Sequence, residues 1–321
     1  MTLRGLALVV AAAAAAGCAS SSPPRPRTDR WVPFASATLE RTEVAAARIG
    51  RFAYVVGGFE ERSGGTTRTV ERYDLRADSW KRVRSMPIGL NHTTAVAYHG
   101  KLYVHGGYRA RRSLSSASSR LYRYDPRRNR WRRLPDSPTP RAAQAAAVIG
   151  RRLYVAGGAN ATGSLRSLEV YNFARRRWGR GRSFPGPARN HTTGVASGGR
   201  FYVIAGRDAR NLRAVDRYDP RWRRWQRVRS IPTARGGIAS ARLPDGRIVV
   251  FGGEQLGPGG TTVQQVEVYS PGRNRWRRLP DMLTPRHGLG GVSLRNRVYA
   301  IGGGPQPGFH FSSAIETLQV P

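Results

Sequence analysis

The chain has 321 residues, with 55 basic and 19 acidic side chains, a formal net charge of +36, 38 glycines and 21 prolines. This length accommodates one large all-β domain or two ordinary domains. Its single cysteine, Cys18, excludes a disulfide framework, a thiol nucleophile and a cysteine metal site from the rest of the chain. The charge predicts non-specific attraction to anionic polymers. Because nearly all basic residues are arginine and alanine is also abundant, the composition leaves open whether that charge is functional.

Residues 1–18 are predicted to form a signal peptide. Arg4 gives a short basic start, Leu6 to Ala16 form the apolar stretch, and small residues precede Cys18. This ending resembles a bacterial lipobox, which predicts lipidation of Cys18 and an extracytoplasmic protein held at the membrane by that lipid alone. The alternative is cleavage after Ala19, which would give a secreted protein without cysteine.

Residues 19–29, ASSSPPRPRTD, are polar and rich in serine, proline and arginine. Such a composition predicts an extended tether rather than a packed structure. The remaining residues, 30–321, are predicted to form one domain, because a single repeat runs through all of them.

The repeat has a period of 47 to 51 residues. In each unit a short β-type run ends in a glycine pair, which Ala205 and Gly206 replace in the fourth unit. In five units a second run ends in a tyrosine, and a tryptophan follows seven residues later. The glycine pairs begin at Gly57, Gly106, Gly157, Gly252 and Gly302; the tyrosines are Tyr73, Tyr124, Tyr171, Tyr218 and Tyr269; the tryptophans are Trp80, Trp131, Trp178, Trp225 and Trp276.

Alternating runs of four to seven residues, bounded by Gly, Pro, Asp and Asn, predict four short antiparallel strands per unit. The glycine pair, tyrosine and tryptophan resemble the kelch repeat, which implies an all-β, six-bladed β-propeller. The last unit lacks the tryptophan, whereas Trp31 precedes Gly57 at the same distance as Trp80 precedes Gly106. The N-terminal strand around Trp31 is therefore expected to close the last blade. The repeated aromatic rings are expected to pack between neighbouring blades.

The resemblance implies a binding face at the mouth of the central channel. An arginine recurs in the turn before the innermost strand of five units. In the remaining unit, the second along the chain, Leu90 occupies the same place. Because a guanidinium fork matches carboxylate or phosphate, these arginines are interpreted as a ring for an anionic or hydroxyl-rich ligand. The alternative is that each arginine ties its turn to a neighbouring blade through backbone carbonyls. The candidate binding residues at this mouth are Arg41, Glu43, His92, Arg141, Arg189, His191, Arg235, Glu254 and Arg286.

The sequence contains no HExxH, GxSxG or GxxxxGK[ST] motif, and the six histidines lack a spacing typical of metal ligands. No catalytic residue, metal or cofactor is therefore predicted. The expected function is that of a monomeric binding or scaffold module for a protein or glycan at the cell envelope. The alternative is a carbohydrate-active enzyme of the sugar mutarotase or epimerase type, with Glu43 or Glu254 and an arginine or histidine at the channel mouth as acid and base. A carboxylate facing arginine or histidine inside a closed mouth would favour the enzyme, and a broad open face would favour partner binding.

The stretch from Arg120 to Asp136, RLYRYDPRRNRWRRLPD, is the most obvious candidate for a nucleic-acid interface. The repeat instead assigns it to the third strand, a turn and the outermost strand of one blade. Its arginines are then expected on the rim, where charge discourages pairing with another sheet, and nucleic-acid binding is not predicted. Trp222, which lies outside the repeat pattern, is assigned to the surface of a turn.

Overall fold

The computed structural model describes Met1, residues 30–257 and residues 259–321. Cys18, the predicted signal peptide after Met1 and the tether at residues 19–29 lie outside the described residues. Within the described part, six antiparallel sheets have four strands each. None of the helical structure in these residues has the length and apolar content needed to cross a bilayer.

These six sheets are the blades of a closed ring. The chain runs outward through each blade, and the innermost strands of consecutive blades are neighbours, including those of the last and first blades. The prediction of an all-β, six-bladed propeller is therefore confirmed. From the innermost strand outward, blade 1 contains Ala45–Ile49, Phe52–Val56, Val70–Asp74 and Ser79–Val83; blade 2 contains Thr94–Tyr98, Lys101–His105, Leu121–Asp125 and Arg130–Leu134; blade 3 contains Ala145–Ile149, Arg152–Ala156, Leu168–Asn172 and Arg177–Gly181. Blade 4 contains Thr193–Ser197, Arg200–Ile204, Val215–Asp219 and Arg224–Val228; blade 5 contains Ala239–Arg242, Ile248–Phe251, Val266–Ser270 and Arg275–Leu279; blade 6 contains Gly290–Leu294, Arg297–Ile301, Ile315–Gln319 and Val32–Phe34.

The N-terminal strand closes the last blade, as the sequence predicts. Val32–Phe34 pairs antiparallel with Ile315–Gln319 as the outermost strand of blade 6. Trp31 is buried beside it, and its indole Nε1 donates a hydrogen bond of 2.9 Å to the carbonyl of Pro280. This pairing supplies the fourth strand of blade 6 and joins the two ends of the domain in one sheet.

The remaining elements are short and lie in the loops. Arg41–Thr42, Phe59–Glu60 and Gly65–Thr66 form a small three-stranded sheet, and Ala159–Asn160 pairs with Gly163–Ser164. A 3-10 helix covers Pro271–Arg273 between the third and fourth strands of blade 5.

The glycine pairs are needed because the turns that enter the innermost strands pass very close to them. Gly107 has φ 99°, and a Cβ atom on it would lie 2.7 Å from the carbonyl oxygen of Asn91. The first position of the pair has a left-handed φ that an L residue can adopt, which explains why Ala205 fills it with φ 50°. The second position admits only glycine, because a side chain there would strain the backbone and collide with the turn.

The repeated aromatic residues connect each blade to the one before it, which confirms their predicted packing role. Tyr124 lies opposite Trp131 on adjacent strands, with ring centroids 4.9 Å apart. The indole Nε1 of Trp131 donates a hydrogen bond of 2.8 Å to the carbonyl of Arg84, just beyond the outermost strand of blade 1. Equivalent bonds join Trp80 to Ala35, Trp178 to Pro135, Trp225 to Arg182 and Trp276 to Arg229. Trp222 is 60% exposed in a turn, as predicted.

Candidate functional site

The five recurring arginines lie inside the blades, and each is at most 2% exposed. The Nη1 group of Arg141 donates hydrogen bonds of 2.9 Å to the carbonyl of Gly157 and 3.2 Å to that of Ser167. Its Nη2 group forms an ion pair of 3.3 Å with Glu169 on the third strand of the same blade. The corresponding ion pairs are Arg41 with Glu71, Arg189 with Asp216, Arg235 with Glu267 and Arg286 with Glu316.

The predicted ring of exposed guanidinium groups is therefore replaced by buried ion pairs, one in each of five blades. The arginines do bond backbone carbonyls, as the structural alternative expects, but the acceptors belong to the arginine's own blade. In blade 2, Leu90 stands in place of the arginine and Tyr122 in place of the acid, so the cation and the anion are absent together. This joint absence fits the rule that a buried charge requires a partner.

A different position in the same turns faces the channel. Two residues after the arginine, every blade has a residue in the left-handed backbone region, including Glu43, His92 and His191 with φ between 47° and 54°. Backbone hydrogen bonds join this position from blade to blade, such as His92 N to Glu43 O at 3.1 Å. The other three residues at this position are Ala143, Gly237 and Gly288. The repeated conformation sets six residues around the channel, and three of them carry polar side chains.

Glu43, His92, His191, Arg207, Glu254 and His287 form one polar group, which we call the mouth cluster. The Oε2 atom of Glu43 lies 3.1 Å from Nε2 of His92, and that nitrogen lies 3.0 Å from Nε2 of His191. The other carboxylate oxygen of Glu43 lies 3.1 Å from Nδ1 of His287. Residues from blades 1, 2, 4 and 6 therefore meet across the channel.

Glu254 and Arg207 complete the cluster from loops that follow the glycine pairs. Arg207 Nη1 donates a hydrogen bond of 2.5 Å to Oε1 of Glu254, whose side chain is 3% exposed. The second oxygen of Glu254 lies 3.7 Å from Nδ1 of His287. The cluster thus combines two carboxylates, one guanidinium group and three imidazole rings with little access to solvent.

Burial and facing charges move the histidine pKa values in opposite directions. Desolvation lowers the pKa of His92 and brings that of His191 well below its usual value, so both rings are neutral at pH 7. Burial also opposes the charge of His287, but its hydrogen bond to Glu43 and the charges of Glu43 and Glu254 outweigh it and raise the His287 pKa. Burial likewise opposes the charge of Glu43, but its contacts with the histidine rings, including the hydrogen bond with His287, outweigh burial and lower the Glu43 pKa.

The structure brings together four of the predicted site residues: Glu43, His92, His191 and Glu254. Sequence reasoning missed Arg207 and His287 as members of the site and found no histidine cluster. His92 and His191 are 99 residues apart, and Glu43 and His287 are 244 residues apart, so local spacing carried no signal. The repeat position was the readable signal for Arg207, because Arg207 follows Ala205–Gly206 as Glu254 follows Gly252–Gly253.

The mouth cluster borders a narrow cavity along the channel. The cavity encloses about 140 Å³, and apart from Glu43, His92 and His191 it is lined mainly by alanine, glycine and threonine residues of the innermost strands. This volume accommodates a few water molecules or an ion.

A family model described as the KLHDC2/KLHL20/DRC7 kelch-repeats domain matches residues 43–253. The chain belongs to the kelch-repeat family. A second model, the kelch motif, matches residues 239–283 of this kelch protein. These matches confirm the family that the glycine pairs, tyrosines and tryptophans predict.

Two similar proteins carry the kelch repeat in their names. The kelch-like protein terF of Aspergillus terreus is 28% identical over 318 residues, which cover 92% of this chain and 69% of terF. The kelch repeat and BTB domain-containing protein 1 of Cowpox virus is 26% identical over 134 residues, covering 42% of this chain and 23% of the viral protein. The solved structure of YjhT superimposes with a TM-score of 0.75 at 16% identity, covers 88% of this chain and 95% of YjhT, and shows the same fold.

Proposed function

We propose that this kelch protein is a non-catalytic binding module that holds a protein partner on one face of the propeller. That face, here called the loop face, consists of the loops after the glycine pairs and the turns that enter the innermost strands. The two sets of segments are adjacent, as the bridge between Asn91 and Tyr108 illustrates. Kelch propellers are repeat scaffolds whose variable loops suit partner recognition.

The observation that carries the proposal is the position of the exposed apolar side chains. Leu114, Leu256 and Phe309 lie in loops after three glycine pairs, and Leu283 lies in the turn that enters blade 6. Each of these four side chains is at least 50% exposed. Four of the five large apolar side chains that are exposed in residues 30–257 and 259–321 therefore lie on the loop face, which favours this face as the surface for a protein partner.

One part of the loop face has the composition of a binding hot spot. Phe309, Phe311, Arg112, Glu61 and Gly64 line an open cavity of about 540 Å³. The ring centroids of Phe309 and Phe59 are 4.8 Å apart, so the two rings pack against each other at this cavity. Aromatic and arginine side chains around a concave site provide most of the binding energy in many protein interfaces.

The proposal predicts that binding depends on the loop face. The double substitution Phe309→Asp/Leu256→Asp should weaken partner binding at least tenfold, because it places charges at two apolar contacts. The partner would first be captured from a cell-envelope extract and identified, and its affinity for each purified variant would then be measured by titration.

Trp222→Asp is the matched control, since Trp222 is also exposed but lies in a turn between third and fourth strands, at the opposite end of the blade. Equal binding by all variants would contradict the loop face as the binding surface. Binding to purified glycans without a protein partner would favour the glycan alternative.

Envelope location is part of the proposal and is supported by the N-terminal sequence. We propose export followed by lipidation of Cys18. Cells that express the wild-type chain with a clickable fatty-acid probe should show a labelled protein, and Cys18→Ser should abolish the label. An unlabelled wild-type protein would support secretion after cleavage at Ala19 instead.

In the mouth cluster Glu43 faces two histidines and Glu254 faces Arg207, all with little exposure to solvent. Such an arrangement favours a carbohydrate-active enzyme. The adjoining cavity is too small for that chemistry: it encloses about 140 Å³, against roughly 300 Å³ for the smaller pockets that bind organic ligands. The geometry therefore supports partner binding better than conversion of a sugar.

A further inference from the structure

We propose that Glu43, His92 and His191 bind a divalent transition-metal ion of the zinc type at the channel side of the mouth cluster. The site lies in turns of the loop face but uses other residues than those proposed to contact a partner, and it does not depend on partner binding. The hydrogen-bond directions around the two imidazole rings are the main support for it.

The tautomer of His92 follows from its neighbours. Thr66 Oγ1 donates a hydrogen bond of 2.6 Å to the carbonyl of Ala110, so it accepts the 2.6 Å hydrogen bond from the Asn91 amide nitrogen. That orientation turns Asn91 Oδ1 toward Nδ1 of His92, at 2.7 Å. Because an amide oxygen only accepts, Nδ1 of His92 carries the hydrogen, and Nε2 of the neutral ring has a free electron pair.

His191 has the same arrangement in blade 4. The Asn190 amide nitrogen donates a hydrogen bond of 2.7 Å to Ser164 Oγ, and the amide oxygen faces Nδ1 of His191. The free electron pair of His191 is therefore also on Nε2. Both rings use a neighbouring asparagine to direct Nε2 into the channel.

Three electron-pair donors consequently converge without a hydrogen atom between them. The two Nε2 atoms are 3.0 Å apart, and Glu43 Oε2 lies 3.1 Å from Nε2 of His92. This contact is repulsive for neutral rings and an ionised carboxylate, and water does little to screen it because His92 and His191 are each only 7% exposed. A bound cation converts the repulsion into coordination.

The donor set and its dimensions suit zinc. Two imidazole nitrogens and one carboxylate are typical protein ligands of Zn²⁺, whereas Ca²⁺ and Mg²⁺ prefer all-oxygen sites. Tetrahedral bonds of about 2.0–2.1 Å place ligand atoms roughly 3.4 Å apart, close to the separations around His92. The three ligand atoms all lie within 4.8 Å of one another.

The surroundings support the same assignment. A hydrogen bond from the second ring nitrogen to a fixed acceptor is the usual way in which proteins orient a metal-binding histidine, and Asn91 and Asn190 both provide it. The adjoining channel cavity leaves room for a water molecule as fourth ligand. The ion would join blades 1, 2 and 4 across the channel.

The test is zinc titration of the purified protein after removal of metals with a chelator. Wild type should bind one Zn²⁺ per chain by isothermal titration calorimetry. His191→Gln and Glu43→Gln should each weaken binding by roughly 100-fold, because each removes a ligand. His310→Gln removes an exposed histidine outside the cluster and should bind like wild type.

X-ray absorption at the zinc edge of the loaded wild-type protein tests the site without relying on a folded variant. It should show two imidazole nitrogens at about 2.0 Å. Absence of zinc binding by wild type, equal affinity in all four proteins, or a spectrum without imidazole ligands would each overturn the proposal.

Discussion

Arg141→Leu should lower the free energy of unfolding by about 3–5 kcal/mol, because it leaves a buried carboxylate without its counter-charge. Glu169 is 1% exposed, and among the described residues no hydrogen-bond donor reaches its oxygens apart from the ion pair with Arg141. The substitution also removes the donors to the carbonyls of Gly157 and Ser167. Urea unfolding of the purified protein, followed by tryptophan fluorescence, measures the change.

Blade 2 provides a matched test of the cause. The double substitution Arg141→Leu/Glu169→Tyr introduces the pair found there, Leu90 and Tyr122, and should recover at least half of the lost stability because no charge remains unpaired. Arg132→Leu, an exposed change on an outermost strand, should alter stability by less than about 0.5 kcal/mol. A cost for Arg141→Leu no larger than that of Arg132→Leu would show that the buried pairs do not stabilise the blades.

Lowering the pH should destabilise the wild-type protein relative to His105→Gln. Desolvation, with a smaller effect from the charge of Arg141, lowers the pKa of the buried His105 from 6.5 to about 3. The folded ring therefore stays neutral while the unfolded ring takes up a proton below pH 6.5. The stabilising effect is complete above pH 6.5 and is lost progressively as the pH falls toward 3, at about 1.4 kcal/mol per pH unit.

The measurement is a series of urea unfolding curves between pH 7.5 and 4 for both proteins, so that contributions from other groups largely cancel. His105 Nε2 lies 2.9 Å from Ser137 Oγ, a polar contact that glutamine can retain. By pH 4 the difference between wild type and His105→Gln should have shifted by roughly 3 kcal/mol from its value at neutral pH. Parallel curves for the two proteins at every pH would mean that His105 can be protonated in the folded state.

The Arg120–Asp136 stretch shows how the repeat decides between two interpretations. Its residues form the third strand, turn and outermost strand of blade 2, with Trp131 bonded to blade 1. Five of its arginines, at positions 127, 128, 130, 132 and 133, are exposed on the turn and outermost strand, as the rim assignment predicts. The aromatic rings that suggest base stacking are instead used for packing.

The sequence by itself determined the fold, because glycine pairs, tyrosines and tryptophans are read within one repeat. The distance from Trp31 to the first glycine pair was also enough to predict closure by the N-terminal strand. The joint loss of the arginine at Leu90 and of the acid at Tyr122 is a sequence signal of the buried ion pairs. These features are recoverable because they depend on spacing along the chain.

Only the tertiary structure decided which polar residues face the channel. Glu43, His92 and His191 lie two residues after the position of the recurring arginines, which Leu90 occupies in blade 2. The arginines enter the blades, whereas the side chains two residues later line the channel. The left-handed backbone at Glu43, His92 and His191, together with closure of the ring, directs these side chains to the channel and away from the blade interior. The mouth cluster joins blades distant in sequence, and such contacts leave no local pattern because they arise only when the ring closes.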